Sequence, residues 1–77
     1  MKHYHNSKLY ISTDELARTF TNDYGFKVTP YHINRLCHHY QIPHLRWHNM
    51  NFFSSIGVMQ ARTMKESFMD YLKYIVK

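Results

Sequence analysis

Two prolines divide this chain before any hydrophobic pattern is consulted. Thr29-Pro30 is a helix start: Thr29 is a preferred N-cap, and Pro30 suits the first helical position because its missing N–H costs nothing there. Pro43 is a stop, since the residue before a proline is pushed out of the helical region. A short helix is therefore expected from Thr29-Pro30 to about Tyr40 or Gln41. Within it, Ile33, Leu36, Cys37 and Tyr40 recur at helical spacing and form one apolar face. Tyr31, Asn34, Arg35 and His38 fall on the opposite face.

An earlier helix is signalled just as locally. In Ser12-Thr13-Asp14-Glu15, Ser12 can accept from the Glu15 amide while Glu15 reaches back, a capping box. Ile11 and Leu16 occupy the positions of a hydrophobic staple, and Asp14 and Glu15 suit the positive end of the helix dipole. Leu16, Ala17 and Phe20 are its buried stripe. Asn22-Asp23-Tyr24-Gly25 ends it, with Gly25 suited to a left-handed turn. Residues 8–11 lead in as a short extended segment.

From Ile42-Pro43 to Phe53, large residues flank Asn49 and Asn51, which bracket a turn, so residues 42–53 read as a β-hairpin. Strand alternation sets Trp47 on one face and Arg46 and His48 on the other, and Trp47 is expected inside. Ser54 or Ser55 caps a third helix over residues 56–77, about 20 residues or roughly 30 Å long. Its stripe is Ile56, Met59, Thr63 or Met64, Phe68, Tyr71, Leu72 and Ile75. With Met69, Tyr74 and Val76 added, the end of this helix is too widely apolar for one contact with a small domain.

The 77 residues allow one domain, spanning 1–77, that buries only about 60–65% of its unfolded surface. Residues 1–7 are expected to be poorly ordered. Hydrophobic residues at 44% and aromatics at 17% are too rich for a disordered tail. The net charge is +5, and its placement matters more than its size. Lys27, Arg35, Arg46, Arg62 and Lys65 fall in residues 24–65 with no acid among them, and five of the seven histidines are there too. That bias favours an anionic partner.

Taken in order, these elements give a mostly α chain with a small β-hairpin, α+β in class. Ile11-Ser12-Thr13-Asp14-Glu15-Leu16-Ala17, then Val28-Thr29-Pro30-Tyr31-His32-Ile33-Asn34-Arg35-Leu36, then Ile42-Pro43 and Phe52-Phe53-Ser54 resemble the MerR-type and phage-excisionase DNA-binding domains over roughly residues 9–60. The resemblance implies a winged helix-turn-helix with a longer C-terminal helix. Its second helix would lie in a major groove, and its hairpin would serve as a wing. It also implies a phage or mobile-element protein acting in recombination or repression. One departure stands out: residues 21–27 make a longer connection between the first two helices than the family's short turn. Either the first helix runs on or a loop is inserted.

On this reading the DNA-binding residues are Lys27, Tyr31, His32, Asn34, Arg35, His38, Arg46, Trp47, His48, Arg62 and Lys65. Arg can bridge guanine acceptors, Asn can pair with adenine, and Tyr, His and Lys can reach phosphate. Duplex is favoured over single strand, although Arg46 and Trp47 could also hold an unpaired base. The apolar C-terminal residues Phe68, Met69, Tyr71, Leu72, Ile75 and Val76 are the expected contact for a second copy or a larger protein. The alternative function is an accessory or inhibitory subunit of a replication or transcription enzyme, docked through those residues.

No metal, cofactor or catalytic activity is expected. The histidines lack the paired spacing of a zinc site, and there is no glycine-rich phosphate loop. Cys37, the single cysteine, lies on an apolar helix face, which makes it an inert thiol and points to a reducing compartment. With no apolar run of membrane length and no secretory h-region, a cytoplasmic, nucleoid-associated protein is the expectation.

Overall fold

The helix starts are made by the residues that announce them. The structure, a computed structural model, describes residues 9–77, so the expectation for residues 1–7 lies outside it. Strand β1 is Tyr10–Ser12 and helix α1 is Thr13–Tyr24. Ser12 Oγ accepts from the Glu15 amide at 3.2 Å, and Ile11 packs on the core beside Leu16. Gly25 ends α1 at φ 79°, with its N–H on the Thr21 carbonyl, a conformation that glycine adopts without a Cβ penalty. The long connection is thus resolved: α1 runs on to Tyr24. The remaining residues are held back against it by Thr21, whose hydroxyl accepts from the Val28 amide at 2.9 Å and donates to the Val28 carbonyl at 3.2 Å.

Helix α2 is Pro30–His39. Its capping box has an unanticipated member. Thr29 Oγ1 accepts from the His32 amide, and His32 Nδ1 accepts from the Thr29 amide at 3.0 Å. Histidine here does what glutamate or glutamine does elsewhere at that position. Strands β2, His44–Trp47, and β3, Met50–Ser54, form the hairpin. Its turn is His48-Asn49, both with positive φ as a two-residue I′ turn requires, while Asn51 lies within β3. The sheet is antiparallel, in the order β1-β3-β2.

The expected single C-terminal helix is two. Helix α3 is Ser55–Arg62, capped by Ser54 Oγ on the Gly57 amide, and α4 is Glu66–Val76. Between them Lys65 has φ 48°, and neither a proline nor a glycine marks the break. Tertiary packing explains it: a straight helix would carry Phe68, Leu72 and Ile75 into solvent, whereas the bend returns them to the core. They are buried to 2%, 0% and 6% exposure. These three residues, expected to bind a partner, instead close the protein's own interior. Met69, Tyr71 and Val76 are half-buried at its margin. The α3 stripe is corrected as well. Val58 and Ala61 are buried, while Ile56 and Met59 are exposed. Gly57 faces Ile42, and a Cβ there would stand 2.8 Å from the Ile42 Cγ2 methyl.

The described residues make a mostly helical α+β fold of four helices and one small antiparallel sheet. Its core joins Leu16, Phe20, Val28, Ile33, Leu36, Phe53, Phe68 and Leu72. Phe68 meets Phe20 edge-on at 5.8 Å and stacks with Tyr40 at 5.7 Å, which ties α4 to both α1 and α2.

Two substitutions test this packing by denaturant unfolding. Lys65→Gly should raise stability by about 1 kcal/mol, because it relieves a positive-φ backbone, φ 48° and ψ −98°, that glycine adopts without a Cβ clash. Gly57→Ala should lower it by about 1–2 kcal/mol despite the better helix propensity of alanine, because the stiff, buried Ile42 cannot give way.

Candidate nucleic-acid interface

Helix α2 exposes the side opposite its buried stripe. Tyr31, Arg35 and His38 are exposed on it, and Asn34 is half-buried. Asn34 does not stand free: its Oδ1 accepts from Asn51 Nδ2 at 2.8 Å, fastening the hairpin to the helix. The hairpin register then decides what lies beside α2. Arg46 pairs with Asn51 and His44 with Phe53, and partners across an antiparallel pair share a face. Arg46 and His44 are therefore on the hairpin face that meets α2. The His44 ring meets that of His38 at 5.2 Å, and both meet Phe53. Arg35, His38, His44 and Arg46 make one exposed, acid-free surface across helix and hairpin, joined by the Asn34–Asn51 hydrogen bond.

The same register overturns the expected place of Trp47. Phe53 takes the core position, so the inner face of β2 is His44 and Arg46, and Leu45 and Trp47 must point away. Trp47 is 63% exposed, with Leu45, Met50 and Phe52 on the same outer face. His48 occupies the turn, its ring 4.2 Å from that of Trp47. His32 is taken up by the α2 cap rather than presented for contact.

Three expected anchors lie elsewhere and are not free of acids. Arg62 donates from Nη2 to Asp23 Oδ2 and from Nε to the Tyr24 hydroxyl, both at 3.1 Å, with its guanidinium over the Phe20 and Tyr24 rings. It clamps α3 to the end of α1. Lys65 shares that corner with Glu66. Lys27 is exposed along a cleft that also contains Asp14 and Arg18. Residues 24–65 are acid-free along the chain, but folding brings Asp23 onto Arg62, and Glu66 follows Lys65 directly in the chain. The Arg62–Asp23 pair is invisible to a linear count because its members stand 39 positions apart.

Among the described residues no group of three or more His, Cys, Asp or Glu is placed to hold a metal. No helix among them is long and apolar enough to cross a membrane. Comparisons with protein families, with curated proteins and with solved structures find no match for this chain.

Cys37 is buried, and burial pushes its thiol up from 9.0 to about 12. Burial, with Tyr71 beside it, also raises the Tyr40 hydroxyl. An unfolded chain loses the thiol proton from about pH 9, while the folded chain keeps it. The contribution is therefore fully present below pH 9 and is lost as pH rises toward about 12. Stability should fall across that window, less so in Cys37→Ala. Iodoacetamide at pH 8 should leave native Cys37 unmodified and alkylate it once denatured.

Proposed function

We infer that this chain is a small, non-catalytic DNA-binding protein of the winged helix-turn-helix kind, with α2 as the groove-facing helix and the hairpin as the wing. One observation carries the reading: the exposed side of α2 and the adjoining face of the hairpin form a single cationic surface with no acid on it. Arg35 is the best-placed base reader, being exposed on the turn after Asn34. Arg46 and Tyr31 suit phosphate, and His38 and His44 can donate to it from a ring N–H. Lys27 lies off this surface, in the cleft that Asp14 also lines. Arg62 and Lys65 leave this surface. The role implied by the resemblance, marking or bending DNA for recombination or repressing a promoter in a mobile element, is retained as part of the proposal.

The rival reading, an accessory subunit docked by its last helix, is weakened by the burial of Phe68, Leu72 and Ile75. What favours a protein partner now is the exposure of Ile56, Met59 and Met64 on and after α3.

Fluorescence anisotropy on labelled duplex at two salt concentrations is the test. Binding should weaken steeply with salt, and Arg35→Ala should cost about 1–3 kcal/mol and flatten discrimination between sequences. Arg62→Met should change affinity little. Absence of duplex binding at low salt, or an Arg62 effect larger than that of Arg35, refutes the assignment.

A further inference from the structure

The cationic surface leaves the other side of the hairpin unexplained. Leu45, Trp47, Met50 and Phe52 all face outward there, and Trp47 lies 6.4 Å from Phe52 between ring centroids. Trp47 and Met50 are the last pair before the turn, so the indole stands at the tip. No charged residue shares that face of β2 and β3. The outside of a duplex does not fit it, because phosphates would be set against apolar side chains. The faces of unpaired bases do fit, since every base offers a flat π-surface to an aromatic ring.

Resting on the DNA-binding reading, we propose that this outer face is a stacking platform for unpaired bases, so that the ligand is a junction between duplex and single strand. The duplex lies on α2 and the inner face of the hairpin, and the departing strand crosses the edge of β2 onto Trp47. Charge complementarity supports a nucleic acid here. Neither α2 nor the hairpin carries an acid, and Arg46 and His48 flank Trp47 in the chain to follow the backbone over the edge. Pairing of a second copy along β2 is opposed by Arg46. A same-face antiparallel register would set it opposite either its own counterpart or His44.

Trp47 is the only tryptophan, so its own emission reports on this face. The experiment compares blunt duplex, the same duplex with a single-stranded thymidine tail, and the free oligothymidine, reading anisotropy and tryptophan emission together. The tailed duplex should bind about fivefold or more tighter than the blunt one and should quench Trp47, and Trp47→Ala should bring that ratio to about one. Anisotropy showing binding of both duplexes with equal affinity and unchanged emission would overturn this inference alone. No binding to any of the three would overturn it together with the DNA-binding reading. A blue shift of Trp47 emission with protein concentration, in the absence of DNA, would assign the face to a second copy and overturn it as well.

Discussion

Phe68 holds this fold together. It meets Phe20 of α1 edge-on, stacks with Tyr40 at the end of α2, and is itself almost wholly buried. A single aromatic side chain thus joins the last helix to both of the first two. In a chain of this size, with few residues to spare for a core, burying one phenylalanine contributes about 1.5–3 kcal/mol, a sizeable part of a small domain's stability. The contact exists only because the chain turns sharply at Thr63–Lys65. The bend accepts a lysine with positive φ so that Leu72 and Ile75 can follow Phe68 into the interior. The ring of Tyr71 then stacks on that of His39 at 3.9 Å, and the end of α2 is covered.

Closing the core in this way arranges the surface. With α4 against its C-terminal end and its apolar stripe inward, α2 keeps one side open. The hairpin lies along that side, fastened by the Asn34–Asn51 hydrogen bond. Arg62 is drawn off into the clamp on Asp23 and Tyr24. That exposed ion pair contributes modestly as an interaction but fixes where one cation of the basic segment goes. The hairpin is left with two unlike faces, one cationic against α2 and one apolar facing away. Both the proposed duplex surface and the proposed base-stacking surface follow from that division.

Much of the framework was legible along the chain. The caps at Ser12 and Thr29, the ends at Gly25 and Pro43, and the hairpin before Ser54 are encoded within a few residues of where they act. Capping and turn chemistry depend on neighbours three or four positions away, so reading them needs no fold. The apolar stripes of α1 and α2 were legible for the same reason, since helical spacing alone puts Leu16 with Phe20, and Ile33 with Leu36 and Cys37.

The remainder had no local signal. Nothing between Val58 and Val76 breaks a helix by its own preference, so the bend at Lys65 comes from the burial that it permits. Alternation left Trp47 equally able to face either way, and the register with Phe53 in the core chose the outer face. Asn34 and Arg62 looked like free surface groups until folding brought Asn51 and Asp23 to them. The sequence by itself determined where the first two helices and the hairpin begin and end, and which side of α2 is polar, because these depend on interactions within one turn or one strand. Tertiary structure decided which apolar residues are core and which cations are free, because both depend on partners distant in the chain that only the closed core brings into contact.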